Sequence, residues 1–363
     1  MNFSATSLTC SGCGGSQVYD PSLGTLSCEF CNKQTEIPLS SQAISTHDYR
    51  TTLHTLNDMQ KEATATPKKS TQCKKCGASF ELPQKDFALR CPYCNTPVMI
   101  ECIQEITPDA LIPFYINHKD AKERFRIWVG SRWFAPNAFK KYLGESKDLI
   151  GYYFPYWDYD TQTLTQYQGE RGDTYYVSVE KNIIVNGKRQ LQTVQEARIA
   201  WSYASGAVYG EFDDITVGAS HTIKRDRLDA IAPWHTDDLR PFDLKYITGF
   251  KAQEYTVELQ EGFKIAKEII APTIKQKIRA DIGGDHQRIH SAQTQYNNIG
   301  YKNLLCPVWI ASFEWNKKIY QYAINAQTGK IVGERPYSYI KIAFAVVGAM
   351  CVVGVMFYFG QGK

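Results

Sequence analysis

Eight of the eleven cysteines form four Cys-x-x-Cys pairs in the first hundred residues, and they constrain the fold more than any other feature. Fourteen residues separate the two pairs of each set, and the second set repeats the first at an offset of 63 residues. This spacing lets two knuckles place four thiolates around one tetrahedral zinc ion. We therefore predict two structural zinc sites, made of Cys10, Cys13, Cys28 and Cys31 and of Cys73, Cys76, Cys91 and Cys94.

The residues that follow the pairs favour metal binding over redox chemistry. Each second cysteine of a pair is followed by glycine or asparagine, which readily adopt a left-handed backbone: Gly14, Asn32, Gly77 and Asn95. A knuckle needs that turn so that backbone N–H groups point at the thiolates. A redox site would need a single pair on a βαβ frame, and iron or an iron–sulfur cluster is the other metal alternative. A ribbon of about 30 residues is too small to fold by core burial, so we expect it to unfold without metal.

The charge balance argues against nucleic-acid binding. The formal net charge is +4, but four thiolates and one zinc ion contribute about −2 per site, so the loaded protein is close to neutral. Residues 1–100 carry nine Lys/Arg and eight Asp/Glu, which makes the loaded ribbon region acidic, at about −3. Residues 1–17 contain no cleavable signal segment, so we expect the cysteines to remain in a reducing cytoplasm.

Composition divides the chain into five segments. We predict a zinc ribbon over 1–39, a helical and flexible linker over 40–72, a second ribbon over 73–102, a mixed helix and antiparallel-sheet body over 103–338, and a membrane-spanning helix over 340–359. The predicted fold class is therefore α+β. We expect the linker over 40–72 to tether the two ribbons to each other without fusing them.

Within the body, aromatic and β-branched residues predict strands joined by short turns. Asn186-Gly187 is the strongest hairpin signal, and Asn316–Lys318 and Ala326–Gly329 predict two further turns. Residues 255–282 predict a long helix, which Pro272 should kink or divide.

Two aromatic motifs give a weak internal echo. Phe154-Pro155-Tyr156-Trp157 and Cys306-Pro307-Val308-Trp309 lie 152 residues apart, and each is expected to open an aromatic strand. The simpler interpretation is that proline starts both strands, where it removes no hydrogen bond from the ladder.

The end of the chain has the composition of a transmembrane helix. Residues 342–359 contain eighteen consecutive residues without a charged or strongly polar side chain, which meets the length criterion for a span. Lys330, Arg335 and Lys341 precede the run, and Lys363 alone follows it. The positive-inside rule then predicts a single-pass, tail-anchored protein of the cytoplasmic (inner) membrane, in contact with the lipid bilayer and with its bulk in the cytoplasm.

The sequence shows no catalytic constellation. No Gly-Lys pair is followed by Ser or Thr in the manner of a P-loop. His286 and His290 have the spacing of two ligands on a helix, but they lack the glutamate of a zinc protease motif and are interpreted as a solvated helix end. We therefore predict that the protein is not an enzyme. The rival is an enzyme with a pocket around Asp285 and His286.

The paired ribbons and four short motifs resemble a bacterial protein family. The motifs are Leu111-Ile112-Pro113-Phe114, Phe154-Pro155-Tyr156-Trp157, Pro307-Val308-Trp309 and Asn325-Ala326-Gln327-Thr328-Gly329. The family is that of TFIIB-type zinc-ribbon-containing proteins, often labelled as primosomal protein N′ (replication factor Y) superfamily II helicases, and the resemblance covers nearly the whole chain. Some members look like membrane-associated partners of phage-shock-protein-A-like and SPFH-type proteins.

These observations predict a membrane-anchored zinc-ribbon scaffold that docks protein partners at the cytoplasmic membrane face, in membrane-stress assemblies. The alternative is a nucleic-acid-binding ribbon protein linked to replication or transcription. Phe80, Phe87, Lys85 and Arg90 of the second ribbon could stack on bases and contact phosphates. Phe80 more simply fills the small ribbon core.

Overall fold

The structure of the protein is a computed structural model. It describes the chain apart from residues 1, 7, 39, 41, 63–69, 73–78, 82–85, 91–96, 101–106, 140–148, 186–187, 224, 316, 335 and 361–363. It describes the backbone alone at 2–6, 57–62, 70–72, 79–81, 86–89, 98–100, 183–185, 188–190, 312–315, 319, 355 and 357–360.

The described helices are α1 (Tyr49–Glu62), α2 (His118–Gly130), α3 (Arg225–Ile231), α4 (Leu244–Ile247), α5 (Leu259–Ile282) and α6 (Tyr339–Gly360), with a 3₁₀ turn at Thr236–Asp238. The described strands are β1 (Asn2–Thr6), β2 (Gln17–Asp20), β3 (Thr25–Cys28), β4 (Gln34–Thr35), β5 (His47–Asp48), β6 (Ser70–Gln72), β7 (Ser79–Glu81), β8 (Asp86–Arg90), β9 (Pro97–Ile100), β10 (Ala110–Leu111), β11 (Ile150–Val185), β12 (Lys188–Gly218), β13 (Arg240–Pro241), β14 (Lys251–Gln253), β15 (His286–Trp315), β16 (Lys318–Asn325) and β17 (Ile331–Gly333).

Fourteen of the described strands form one sheet, which curls into a half-barrel. Its main path is β13-β10-β15-β11-β14-β8-β9-β1-β6-β7, with β12 beside β11, β5 and β16 beside β15, and β17 beside β16. The predicted α+β class is therefore wrong, because the protein is mostly β. The physical reason is the length of β11, β12 and β15, which run for 36, 31 and 30 residues. Pairing between these strands continues through polar and glycine-containing stretches that the sequence pattern alone does not mark as strand.

The long helix α5 covers one face of the three long strands. Its buried isoleucines pack around Tyr167 of β11 and Phe212 of β12, and they are Ile270, Ile274, Ile278 and Ile282. Pro272 lies inside this helix, which continues through it without a break. The predicted division at Pro272 does not occur, because the apolar face packs on the same sheet on both sides of the proline.

The tryptophans of the two aromatic motifs make equivalent hydrogen bonds to the backbone just before two helices. The indole N–H of Trp157 donates to the carbonyl oxygen of Val257 at 3.0 Å, and that of Trp309 donates to the carbonyl oxygen of Ile116 at 2.8 Å. Each acceptor lies two residues before the first residue of a helix, α5 in one case and α2 in the other. Each tryptophan therefore satisfies a buried carbonyl that the helix itself does not use.

A second set of hydrogen bonds repeats the same arrangement. The N–H of Ala219 donates to the carbonyl oxygen of Pro155, and that of Ala326 donates to the carbonyl oxygen of Pro307, each at 2.9 Å. The carbonyl oxygen of each alanine then accepts the N–H groups of the two residues that precede a helix N-cap. The two prolines thus occupy equivalent positions, and neither simply opens a strand.

The described part of the body therefore contains two βαββ repeats, β10-α2-β11-β12 and β14-α5-β15-β16. The buried helix positions correspond as well: Ala121, Phe125 and Val129 in α2, and Gly262, Ala266 and Ile270 in α5. A pseudo-twofold axis passes near Phe154 and Cys306, which face each other on β11 and β15. The repeats exchange their first strands, since β10 pairs with β15 and β14 pairs with β11. The internal echo is thereby confirmed as a structural repeat.

Asn325 is the last residue of β16, and its side chain stabilises the turn that follows. Its fully buried side chain donates to the carbonyl oxygens of Ile231 and Pro233 and accepts two N–H groups of the following turn, at 2.9–3.2 Å. We expect Asn325→Ala to lower the free energy of unfolding by about 2–4 kcal/mol, because four backbone groups around this buried side chain lose their partner. Urea unfolding should show no such loss for Asn182→Ala, which changes an exposed asparagine on β11. Equal unfolding midpoints for the two variants would contradict this role.

The C-terminal helix α6 begins against the body. Lys341 Nζ donates to the carbonyl oxygens of Trp133 and Ala135 and to Oδ1 of Asn137. Among the residues that the structure describes, no helix is long and apolar enough to cross a bilayer. This finding overturns the predicted tail anchor over 340–359 and the single-pass location in the cytoplasmic membrane.

Candidate metal centre

The first cysteine tetrad lies on the small three-stranded sheet β2-β3-β4, with one knuckle before β2 and the other after β3. Sγ of Cys10 is 3.6 Å from Sγ of Cys31, and Sγ of Cys13 is 3.5 Å from Sγ of Cys28. All four sulfurs lie within 4.8 Å of one another. Four sulfurs at about 2.3 Å from a central zinc ion would be about 3.8 Å apart, so the tetrad has the size of a tetrahedral thiolate site. The first tetrad could therefore bind a metal ion.

The backbone of both knuckles turns as the glycine and asparagine pattern predicts. Gly14 has a φ of 70° and Asn32 a φ of 56°, both in the left-handed region. The N–H of Gly12 donates to Sγ of Cys10 at 3.3 Å. Glycine is needed at position 15 for a different reason: a Cβ atom added there would lie 2.4 Å from the ring of Phe30. The local sequence thus shapes the knuckles around the sulfurs.

Backbone hydrogen bonds favour the thiolate at two of the four cysteines. The N–H of Gly12 lowers the pKa of Cys10, and the N–H of Cys31 lowers the pKa of Cys28 to about 6. At Cys31 the N–H of Lys33 also lowers the pKa, but the neighbouring thiols and burial outweigh it and raise the pKa to about 12. Four sulfurs this close repel one another as thiolates, and a divalent cation between them would remove that repulsion.

The first ribbon packs on the body through Tyr19. This buried tyrosine belongs to the same core cluster as Leu26 of the ribbon and the body residues around it. Its N–H donates to the carbonyl oxygen of Thr248 at 3.0 Å, and its ring lies 5.3 Å from that of Tyr246. The first ribbon is thus in direct contact with the body.

The second tetrad, Cys73, Cys76, Cys91 and Cys94, lies outside the described residues, so its zinc site remains a prediction. The described backbone around it forms β6 to β9, and β8 joins the large sheet by pairing with β14. Arg90, next to Cys91 in sequence, pairs with Glu29 of the first ribbon at 2.8 Å. The second ribbon therefore also contacts the first.

A cluster of three aspartates has the geometry of a cation site, but the ammonium group of Lys302 already lies among them. Asp158, Asp160 and Asp214 bring their carboxylates within 4.8 Å of one another. Lys302 Nζ lies 3.2 Å from Asp158, 3.2 Å from Asp160 and 3.5 Å from Asp214. Lys302 thus neutralises part of the charge that a metal ion would otherwise balance. The sequence pattern did not reveal this cluster, because Asp214 follows a register shift that brings it onto the same face.

This cluster predicts a pH dependence of stability. Burial raises the pKa of Asp158 to about 7, against the pull of Lys302, whereas an unfolded aspartate titrates near 3.9. Between these values the folded protein holds a proton that the unfolded chain has released. The free energy of unfolding should therefore fall as pH rises from about 4 to about 7, by about 4 kcal/mol at most.

Asp158→Asn should remove this dependence, because the amide cannot titrate. Urea unfolding at pH 5 and pH 8 would measure the difference between the two proteins. Asp160→Asn serves as the control, since it removes another carboxylate partner of Lys302. Parallel pH profiles for the wild type and Asp158→Asn would contradict the assignment.

The residues of the rival active site, Asp285 and His286, lie at the exposed surface. Asp285 accepts the N–H of Thr174 at 2.8 Å, and this hydrogen bond lowers the pKa of Asp285. His286 is the first residue of β15, so His286 and His290 lie on a strand and the interpretation as a helix end is wrong. All three side chains are exposed. Their exposure gives no support to a catalytic role.

Comparisons with known proteins add one relative. No family model matches the chain, and no solved structure matches it. The chain is 26% identical over 347 residues to the uncharacterized protein YdjG of Bacillus subtilis (strain 168), and the match covers 93% of this chain and 92% of YdjG. The similarity therefore covers most of both chains.

Proposed function

We propose that this protein is a non-enzymatic scaffold in which zinc holds two ribbons against a β body that docks a partner protein. The observation that supports docking is an unsupported β arm. We define the arm as residues 173–185 of β11 and 188–200 of β12, which pair with each other from Asp173–Ala200 to Val185–Lys188.

The arm extends beyond the elements that support the rest of the sheet. β15 begins at His286, opposite Gly172, and α5 ends at Ile282. Among the described residues, no third strand or helix therefore covers the arm. An isolated two-stranded hairpin is marginally stable in water. A bound partner would supply the missing contacts.

The arm also exposes large side chains at its surface. Tyr176 is 67% exposed and Leu191 is 64% exposed. Exposed aromatic and aliphatic residues on a projecting element are typical of a protein-binding surface. The resemblance described above favours phage-shock-protein-A-like or SPFH-type proteins as the partner class.

The arm can be shortened without moving the rest of the sheet. Deleting residues 174–185 and 188–199 leaves Asp173 and Ala200, which already pair, joined by Asn186-Gly187. We expect purified phage-shock-protein-A-like or SPFH-type protein from the same organism to bind the full chain and to bind the shortened chain at least about ten-fold more weakly. Biolayer interferometry would measure both affinities.

Point variants separate the arm surface from the fold. Tyr176→Ser on the arm should weaken binding, whereas Tyr115→Ser, at an exposed body position, should not. Equal binding by the full and shortened chains would contradict a docking role for the arm. Salt-dependent binding to DNA that is lost in Cys73→Ser would instead support the nucleic-acid alternative.

The proposed metal is zinc, at two ions per chain. Four thiolates with spacing for a closed tetrahedron suit zinc, which needs no redox or open coordination position in a structural site. Metal analysis of the purified chain by mass spectrometry should give two zinc ions, and one in a Cys10→Ser, Cys13→Ser double variant. Retention of two ions in the double variant, or iron in place of zinc, would contradict the proposal.

A further inference from the structure

The outer side of β12 is a long unpaired edge. The strand spans 31 residues, and among the described strands it pairs with β11 alone. Such an edge presents a row of N–H and C=O groups that can pair with another strand. Proteins usually protect long edges with charges, prolines, bulges or a covering element.

The central part of this edge lacks those protections. Residues 199–210, the edge segment, read IAWSYASGAVYG and contain neither a charge nor a proline. One described side chain from outside the strand hydrogen-bonds to the backbone of this segment: Lys277 Nζ donates to the carbonyl oxygen of Tyr209 at 3.2 Å. This single contact leaves the other polar backbone groups of the outer edge to be satisfied by water or by a partner.

Comparison of the two repeats shows that the second has an edge strand with no described counterpart in the first. In the second repeat, β16 occupies the position that β12 occupies in the first. β17 covers the outer edge of β16, with Tyr322 opposite Gly333 and Ile324 opposite Ile331. No described strand covers β12 in the same way. The second repeat thus has a covering strand at a position where no described strand covers the first repeat.

We propose that the edge segment is covered by β12 of a second copy of this chain, paired antiparallel across a twofold axis near Trp201. The distribution of charge along β12 favours a second copy of this chain as the partner. Residues 188–198 contain three basic residues and one acidic residue, whereas residues 211–214 contain three acidic residues and no basic one. Antiparallel pairing brings the basic end of each strand to the acidic end of its partner, and parallel pairing would oppose like charges.

Pairing of this kind also supports the arm. With the axis near Trp201, residues 188–191 of one copy lie opposite residues 211–214 of the other. Each arm then gains a third strand, which an independently stable sheet needs. The contact is isologous, so it closes at two copies and does not extend into a fibre. The inference goes beyond the proposed docking function and does not depend on it, because it concerns the purified chain alone.

The oligomeric state of the full zinc-loaded chain tests the proposal. Light scattering after size exclusion should give twice the mass of one chain. A Ser205→Lys, Ala207→Lys double variant places charges at two exposed edge positions and should raise the dissociation constant of the dimer by about ten-fold or more. The matched control is Gln168→Lys, Gln166→Lys, whose positions face Ser205 and Ala207 on the inner strand β11.

Site-specific photocrosslinking identifies the occupant of the edge. Para-benzoylphenylalanine in place of Tyr203, which is 70% exposed on the edge segment, should yield a crosslinked dimer of this chain. The same group in place of Leu23 on the first ribbon should not. A single-chain mass at about 100 µM, equal dissociation of the edge and control variants, or a Tyr203 crosslink only to a different protein would each overturn the proposal.

Discussion

Removal of the metal from the first tetrad, by chelation or in a Cys28→Ser variant, should unfold residues 10–37 as a unit. Structural zinc contributes on the order of 10 kcal/mol to ribbons of this kind at neutral pH. The described ribbon has few core residues of its own, with Leu26 and Ile37 beside Tyr19. Hydrogen exchange measured by mass spectrometry should therefore show full loss of protection over β2, β3 and β4.

The control for this experiment is a cysteine of the same chain outside both tetrads. Cys351 is an exposed free cysteine on α6, and Cys351→Ser should leave ribbon protection unchanged. The N–H of Tyr19, which donates to the carbonyl oxygen of Thr248 on the body, should lose its protection with the rest of β2. Unchanged exchange in the ribbon without metal would show that side-chain packing, not metal, holds it.

Replacement of Trp157 by alanine should cost about 3–5 kcal/mol of unfolding free energy, the second largest effect that we expect. The side chain is 1% exposed, and its indole N–H satisfies the carbonyl oxygen of Val257 before α5. Trp309→Ala should have a similar effect, because Trp309 makes the equivalent bond before α2. Chemical denaturation of the two variants would measure both losses.

Phenylalanine separates the hydrogen bond from the packing. Trp157→Phe and Trp309→Phe each keep most of the ring but leave a buried carbonyl without its donor, which should cost about 1–3 kcal/mol. Trp133→Phe is the control, since Trp133 is 62% exposed. Trp157→Phe and Trp309→Phe should lower the free energy of unfolding by similar amounts. A loss near zero for one variant only would contradict the energetic equivalence of the two repeats.

Features that depend on a few neighbouring residues could be predicted from the sequence. The cysteine spacing identified the first tetrad, and the residues after it correctly indicated positive φ at Gly14 and Asn32. The ends of β11 and β12 at Val185 and Lys188 agree with a hairpin at Asn186-Gly187, although that turn lies outside the described residues. Gly329 has a φ of 82°, as the predicted turn requires.

Features that depend on distant parts of the chain were predicted poorly. The α+β class is wrong because partner strands far apart in sequence extend β11 and β15 well beyond any local pattern. Asp158 and Lys302 are 144 residues apart, so their contact depends on strand register. The apolar composition of 340–359 indicated a tail anchor, but the described residues contain no helix that could span a bilayer.

The cysteine pattern by itself determined where a metal ion could bind, because a knuckle is a local turn whose chemistry is complete within a few residues. The aromatic motifs showed only that two segments were alike. The tertiary structure decided that Trp157 and Trp309 hold equivalent helix starts across a pseudo-twofold axis. It also decided that, among the described strands, β12 pairs on one side only. Both depend on which strands become neighbours, and strand pairing is set by contacts between distant residues rather than by the preferences of either strand alone.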